Sequence, residues 1–328
     1  MAKRTKLRDV AEACGVSVAT VSYVLNRKPG QSISAETEAK IREKMREMNY
    51  VPNLAASFLK SGRSHLIGLI LPQLEPGGLM DIQDGFSPRL VTALEMAARV
   101  NGYHMIISGT DISGDIESIV RNRGLEGVVI LGDVSEKQIE MILDLNRPVI
   151  CVEPKELDRK GRINLFEMHF EALDDPIRIE PMLLRRGCRD VTLLCTDKET
   201  EAAAALGWRV LPGADTMESG HETAMQLDVT NQKAEVGKAV VVMGEKRFLG
   251  FMQALAERGV HVPEMMRVVF VGNSSLVGSL YPTIERLQSN MKLAGDTAFD
   301  WIVKCREENA APEKKDAIIP AVWATGRA

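Results

Sequence analysis

The chain is poor in the features that most often announce a chemistry. It has five cysteines in 328 residues (Cys14, Cys151, Cys188, Cys195, Cys305), and no two of them form a CxxC pair. An odd count at irregular spacing argues against a disulfide framework and for reduced thiols, as in a cytoplasmic protein. The five histidines (His65, His104, His169, His221, His261) are scattered, so no metal site is expected and no cofactor is implied. No apolar run approaches the ~18–20 residues that a membrane helix needs. The first residues, Met-Ala-Lys-Arg-Thr-Lys-Leu-Arg, have no apolar stretch behind their charges, which excludes a secretory signal. HExxH, phosphate-binding Gly-rich loops and GxGxxG are all missing. Gly15-Val-Ser-Val-Ala19 comes near a serine-nucleophile elbow but ends in Ala. No enzyme is expected.

What is present is an uneven distribution of charge. Residues 1–64 carry 12 Lys and Arg against 6 Asp and Glu, a net of +6, whereas the other 264 residues carry 29 against 39, a net of −10. A small basic head on a large acidic body points to a polyanion-binding module attached to something else. Hydrophobic content of 45% with 26% charged residues is ordinary for a globular chain that buries a core.

In the head, Leu7, Val10, Ala11 and Cys14 recur at helical spacing, and Gly15 ends that segment. Ser17 is placed to cap a second helix in which Val21, Val24 and Leu25 face inward, while Val18, Ala19, Ser22, Tyr23 and Asn26 face out. After the basic turn Arg27-Lys28-Pro29-Gly30, Ser34 caps a third helix with Thr37, Ile41, Met45 and Met48 on one side. Helix, short Gly-containing turn and helix is a helix-turn-helix, whose second helix enters the DNA major groove.

The run Leu7-Arg-Asp-Val-Ala-Glu-Ala-Cys-Gly-Val-Ser-Val-Ala-Thr-Val-Ser-Tyr-Val-Leu-Asn26 resembles the DNA-binding domain of the lactose-repressor (LacI/GalR) family of bacterial transcription regulators. Tyr50-Val-Pro-Asn53 and Ala55-Ala56-Ser57-Phe58-Leu59 resemble that family's hinge. The resemblance implies that Val18, Ala19 and Tyr23 read base edges, the first two by contact with thymine methyls. Many members have Arg at the place of Tyr23, which lacks Arg's two-pronged donor. Ser17, Thr20, Ser22 and Asn26 fall where phosphates are held, and Lys6 with Lys3 and Arg4 adds backbone charge. Asn53 can cap the hinge helix, and Leu59, with Ala56 beside it, matches the side chain that wedges into the central base step. A palindromic double-stranded operator and a homodimer follow from the same resemblance. The chain ends at Ala328 without a heptad extension, which favours a dimer over a tetramer.

From Gly62 onward, short apolar runs alternate with amphipathic stretches. Strands are expected at 66–71, 105–108, 128–131, 149–152, 191–195, 240–243 and 268–271, and the run 317–324 also reads as buried strand. Helices are expected at 89–101, 136–145, 176–186 and 248–258. This alternation predicts an α/β body with parallel sheets. The run Ala239–Pro263 carries the family resemblance furthest into the body. It implies a two-lobed, periplasmic-binding-protein-like domain with an effector cleft between the lobes. The expected domains are 1–52 (helix-turn-helix), 53–63 (hinge helix and linker) and 64–328 (effector binding and dimerisation). Lobe one is placed at about 64–155 plus 289–315, and lobe two at about 156–288 plus 316–328.

In such sheets ligands sit at the carboxyl ends of strands. Gln73 and Arg89 from lobe one, and Trp208, Glu245, Asn273 and Gln288 from lobe two, are the candidate contacts for a sugar-like or nucleoside-like effector. The cleft departs from the family pattern, with Ala204 where an Arg is common, Gly244-Glu245 for an Asn-Asp pair, and Val271-Gly272-Asn273-Ser274 for a Gly-aromatic-Asp-Asp turn. These departures leave open a body that responds to a protein partner or has lost effector control.

Overall fold

A computed structural model of the chain describes residues 5–26, 33–50, 63–72, 86–110, 120–121, 124–132, 136–144, 146–154, 162–229, 233–306, 308 and 312–324. Its contacts divide it into two units, Met1–Ser64 and His65–Ala328.

The head contains α1 (Leu7–Cys14), α2 (Val18–Asn26) and α3 (Ala35–Glu47). Each start is set by a side chain that takes up a backbone N–H the helix cannot bond internally. Asp9 accepts the N–H of Lys6 at 2.8 Å, the Ser17 hydroxyl accepts that of Thr20 at 3.1 Å, and the Ser34 hydroxyl accepts that of Thr37 at 3.2 Å. Gly15, at φ +69°, ends α1 in the left-handed region and lets Val16 donate back to the Ala11 carbonyl at 3.0 Å. Val10, Ala11, Cys14, Val21, Val24 and Ile41 form the buried centre, and Leu7, Leu25, Met45, Met48 and Tyr50 close around it.

The body is built on two six-stranded sheets. The first contains β1 (Leu66–Pro72), β2 (His104–Thr110), β3 (Gly127–Leu131), β4 (Val149–Val152), β5 (Leu165–Phe170) and β11 (Asp316–Ile319). Its order is β11-β5-β4-β3-β1-β2, with every neighbouring pair parallel. The second contains β6 (Asp190–Cys195), β7 (Arg209–Pro212), β8 (Lys238–Met243), β9 (Val268–Val271), β10 (Glu285–Ser289) and β12 (Ala321–Ala324). Its order is β12-β10-β9-β8-β6-β7, parallel except for the antiparallel β10–β12 pair. The central strands β1, β3, β4, β8 and β9 are near-continuous apolar runs because helices cover both faces, which is the requirement of a parallel sheet.

In lobe one, α4 (Phe86–Val100) and α11 (Met291–Arg306) cover one face, burying Leu90, Leu94, Phe299 and Ile302 against Ile67, Val129 and Phe166. α5 (Glu136–Leu143) covers the other with Ile139 and Ile142. In lobe two, α6 (Pro176–Arg185) and α7 (Thr200–Ala205) pack on one face. α8 (Met217–Gln226), α9 (Glu245–Glu257) and α10 (Ser275–Leu280) pack on the other. α8 and α9 meet backbone to backbone: a Cβ on Gly220 would overlap the Arg247 carbonyl, and one on Gly250 the Met217 carbonyl.

The lobe boundaries differ from those expected. β5 lies beyond the lobe boundary expected at about 155 yet pairs with β4 in the first sheet, so the chain first crosses at 171–175. The run 317–324 is two strands in different sheets, β11 and β12, separated by Pro320, which puts the last crossing at 320 instead of 315. The crossing segments hold one another. Glu171 N–H donates to the Ile319 carbonyl at 2.9 Å, and Asn290 N–H donates to the Pro320 carbonyl at 3.3 Å.

Candidate nucleic-acid interface and effector cleft

On α2 the inward residues follow the helical period, with Val21 and Val24 buried, which turns Ser17, Val18 and Ala19 outward. Val18 is 44% exposed on this face, so its methyl groups are free to meet a partner surface. Thr20, Ser22 and Tyr23 are half-buried at the edge of this face. Lys6 is exposed and precedes α1. The Ser17 hydroxyl lies 2.9 Å from that of Thr20 while it caps α2, so its first role is to fix the start of the helix. A helix start with outward hydroxyls and unpaired backbone N–H groups suits a phosphate oxygen. Asn53, Ala56 and Leu59 lie outside the described residues.

In the body, a cleft of about 590 Å³ lies where carboxyl ends of strands from both sheets meet, within the usual size for a small-molecule site. Lobe one contributes Glu153 after β4 and Phe170 at the end of β5, and the crossing segment contributes Glu171 and Asp174. Lobe two contributes Thr196 and Glu199 after β6, Asp215 before α8, Arg247 in the first turn of α9, Asn273 after β9 and Ser289 at the end of β10. Five carboxylates therefore face one guanidinium.

That guanidinium is already engaged. Arg247 is 1% exposed and donates to the carbonyls of Met243 at 2.8 Å, Ala214 at 3.3 Å and Gly213. Burial pulls its pKa down, and the Asp215 carboxylate opposes that shift. Asp215 has a second role. α9 begins at Gly244, which has no side chain to cap it, and Asp215 instead accepts the Arg247 N–H at 2.9 Å. The carboxylate comes so near that any Cβ at Gly244, already at φ +93°, would collide with it.

Glu199 accepts the backbone N–H of Thr196 at 2.8 Å and its hydroxyl at 2.5 Å, so its charge is held in place. Glu153 accepts the Phe170 N–H at 2.6 Å from a backbone at φ +50°, a conformation rare outside glycine. Asn273 and Ser289 bond reciprocally at 3.0 Å, Nδ2 donating to the Ser289 hydroxyl and Oδ1 accepting the Ser289 N–H. The cleft is thus rich in fixed oxygen acceptors, with Phe170 as its aromatic surface. Such a lining matches a ligand that presents many hydroxyl donors.

The expected contacts are distributed otherwise. Of the five candidates within the described residues, Asn273 lines the cleft. Trp208 packs in the lobe-two core with Ile179, Leu183 and Val191, because it precedes β7 at the amino ends of the strands, away from the cleft. Glu245 accepts the Ser274 hydroxyl, and the two tie the start of α9 to the start of α10. Arg89 and Gln288 bond each other, Nη1 to Oε1 at 2.8 Å, and neither lines the cleft. Gln73 lies outside the described residues. Sequence reading missed Glu153, Glu171, Glu199, Asp215 and Arg247. Arg247 alone left a signal, a charged residue directly before Phe248 on a helix face that buries Phe251, Ala254 and Leu255.

Among the described residues no cluster of three or more His, Cys, Asp or Glu is arranged to hold a metal ion, and no helix is long and apolar enough to cross a membrane.

Comparison with known proteins agrees with both units. Residues 6–53 match the family described as bacterial regulatory proteins, lacI family, and residues 182–327 match the periplasmic binding protein-like domain. The chain is 24% identical over 322 residues to the HTH-type transcriptional regulator RegA of Clostridium saccharobutylicum, covering 92% of each chain. It is 25% identical over 328 residues to catabolite control protein A of Staphylococcus aureus, covering 95% of each. Among solved structures, the lac repressor dimer bound to operator and the anti-inducer ONPF aligns with a TM-score of 0.55 at 22% identity over 98% of each chain. A CelR–cellobiose complex aligns with a TM-score of 0.50 at 18% identity, over 98% of this chain and 99% of that one.

Proposed function

Because this chain belongs to the lacI family of bacterial regulatory proteins and is a DNA-binding transcription regulator, we propose that it acts as a homodimeric repressor, controlled by a carbohydrate-like or nucleoside-like effector in the interlobe cleft. The observation that carries the DNA half is the outward Ser17-Val18-Ala19 face of α2, edged by Thr20, Ser22 and Tyr23. Val18 and Ala19 take thymine methyls, and Tyr23 offers one hydroxyl to a base edge. Ser17, Thr20, Ser22, Asn26 and Lys6 face phosphates, fixing register without reading sequence. Asn53, Ala56 and Leu59 form the hinge that pairs with its mate in the minor groove.

The effector half rests on the oxygen-lined cleft. Five carboxylates accept hydroxyl protons, and Phe170 packs on an apolar ring face. The solved CelR structure is named as a complex with cellobiose, a ligand of that kind. Exposed apolar side chains on α4 (Met96, Val100) and α10 (Leu276, Leu280) supply surface for a second copy. Ligand in the cleft alters the lobe arrangement and so the hinge, with a coupling of ~1–3 kcal/mol in such systems.

A second reading, control by a protein partner or loss of effector control, is favoured by Arg247, whose donors are committed to carbonyls. Thermal-shift screening of the full chain with sugars and nucleosides, followed by operator titration with each hit, separates the two. A hit that changes operator affinity supports effector control. A cleft that no sugar or nucleoside occupies supports the second reading.

A further inference from the structure

Two arginines, one from each lobe, come within electrostatic reach of one another, and among the described residues neither has a carboxylate partner. Arg89 comes from α4 in lobe one and Arg286 from β10 in lobe two. Arg89 uses Nη1 on the Gln288 amide oxygen, a neutral acceptor that does not offset its charge. Burial, and then the charge of Arg286, pull the Arg89 pKa down, so the two like charges are near enough to repel. Arg286 has Nε and Nη1 buried with no hydrogen-bond partner. It cannot retreat toward α10, because its Nη1 rests where a Cβ on Gly278 would be. Neither arginine pairs with a carboxylate among the described residues.

Buried guanidinium donors are ordinarily satisfied, and an uncompensated pair of them destabilises the arrangement that holds it. A planar fork of donors is matched best by an oxyanion, and two such forks carry two positive charges. We propose that Arg89 and Arg286 form an oxyanion site that takes a phosphate monoester, one guanidinium from each lobe. The dianion neutralises both charges and tethers lobe one to lobe two in this arrangement. The site is distinct from the acidic cleft, whose five carboxylates repel an anion, and it does not depend on which ligand the cleft takes.

The test is thermal unfolding of the full chain in inorganic phosphate and in chloride at matched ionic strength. Wild-type protein is expected to show a saturable rise in Tm specific to phosphate, because a ligand bound only by the folded state stabilises it. Arg89→Gln and Arg286→Gln should each abolish that rise. Without phosphate, Arg286→Gln should melt no lower than wild type, since it removes an uncompensated charge. Gly278→Ala keeps both charges but displaces the Arg286 guanidinium, and should weaken phosphate by roughly tenfold, the loss of about one charge-assisted hydrogen bond. The proposal is overturned by a wild-type chain without a phosphate-specific rise, by an equal rise in Arg286→Gln, or by an Arg286→Gln protein that is less stable in chloride alone. A dimer that dissociates more readily in Arg286→Gln, with no phosphate effect in wild type, would assign the pair to a contact between copies and overturn it as well.

Discussion

The Glu171 carboxylate accepts the backbone N–H of Ala321 at 2.9 Å, while the Glu171 N–H donates to the Ile319 carbonyl at 2.9 Å. One residue thus binds the chain on both sides of Pro320, where it passes from β11 in the first sheet to β12 in the second. Glu171 also lines the cleft, so the joint between the lobes and the surface of the site share a side chain. Glu171→Ala should leave the Ala321 N–H without its acceptor and lower stability by about 1 kcal/mol. Glu171→Gln, which keeps an acceptor oxygen, should lose less. Urea unfolding of the two variants compares them directly.

The contact of α8 with α9 predicts a larger loss. Gly250→Ala places a methyl into the Met217 carbonyl, and Gly220→Ala places one into the Arg247 carbonyl. Neither backbone can yield like the end of a side chain, so each variant should lose about 1–3 kcal/mol or more. A Gly250→Ala protein with wild-type stability would refute the close approach.

Cys151 is buried in the middle strand β4, and desolvation, with the Glu167 charge behind it, pushes its thiol from 9.0 up to about 12. A folded-state pKa raised above the unfolded one gives a contribution that is complete below the unfolded value and is lost as pH rises toward the folded value. The alkaline fall in stability between pH 9.0 and about 12 should therefore be shallower in Cys151→Ala than in wild type, measured by chemical denaturation across that range. At neutral pH the native thiol should resist aromatic disulfide reagents that modify it rapidly in urea.

On the DNA side, Leu59→Ala should weaken binding to a specific duplex more than to an unrelated one, since only the specific complex seats a wedge in the base step. Fluorescence anisotropy on both duplexes reads the difference. Equal losses would remove the wedge assignment.

Much of the fold was legible because burial on both faces leaves a plain mark. The apolar runs Val149–Val152 and Val268–Val271 are strands to the residue. β5 was hidden because Glu167 and His169 interrupt it, and β10 because Arg286 and Gln288 alternate with its buried residues. β7 lies at a sheet edge, only partly buried and ending in Pro212, so it has neither an apolar run nor a clear period. Membership of one sheet or the other leaves no local trace, which is why the crossings expected near 155 and 315 fall at 171–175 and 320. The head was legible in more detail: Ser17 and Ser34 cap as expected, and Gly15 takes the left-handed turn. The cleft was the least legible part. Its five carboxylates come from four separate segments, and residues such as Glu199 and Asp215 look like ordinary surface acids until the sheets bring them together.

The face of α2 should read sequence in duplex DNA. The most direct measurement is the affinity of the full chain, near physiological salt, for a two-fold symmetric duplex recovered by selection from a random pool, against a scrambled duplex of the same length. Binding should be at least about 10³-fold tighter to the selected duplex, as specific regulators show, with the margin shrinking when Val18 or Tyr23 is replaced by Ala. Equal affinity for the two duplexes, or a margin indifferent to Val18 and Tyr23, would contradict it.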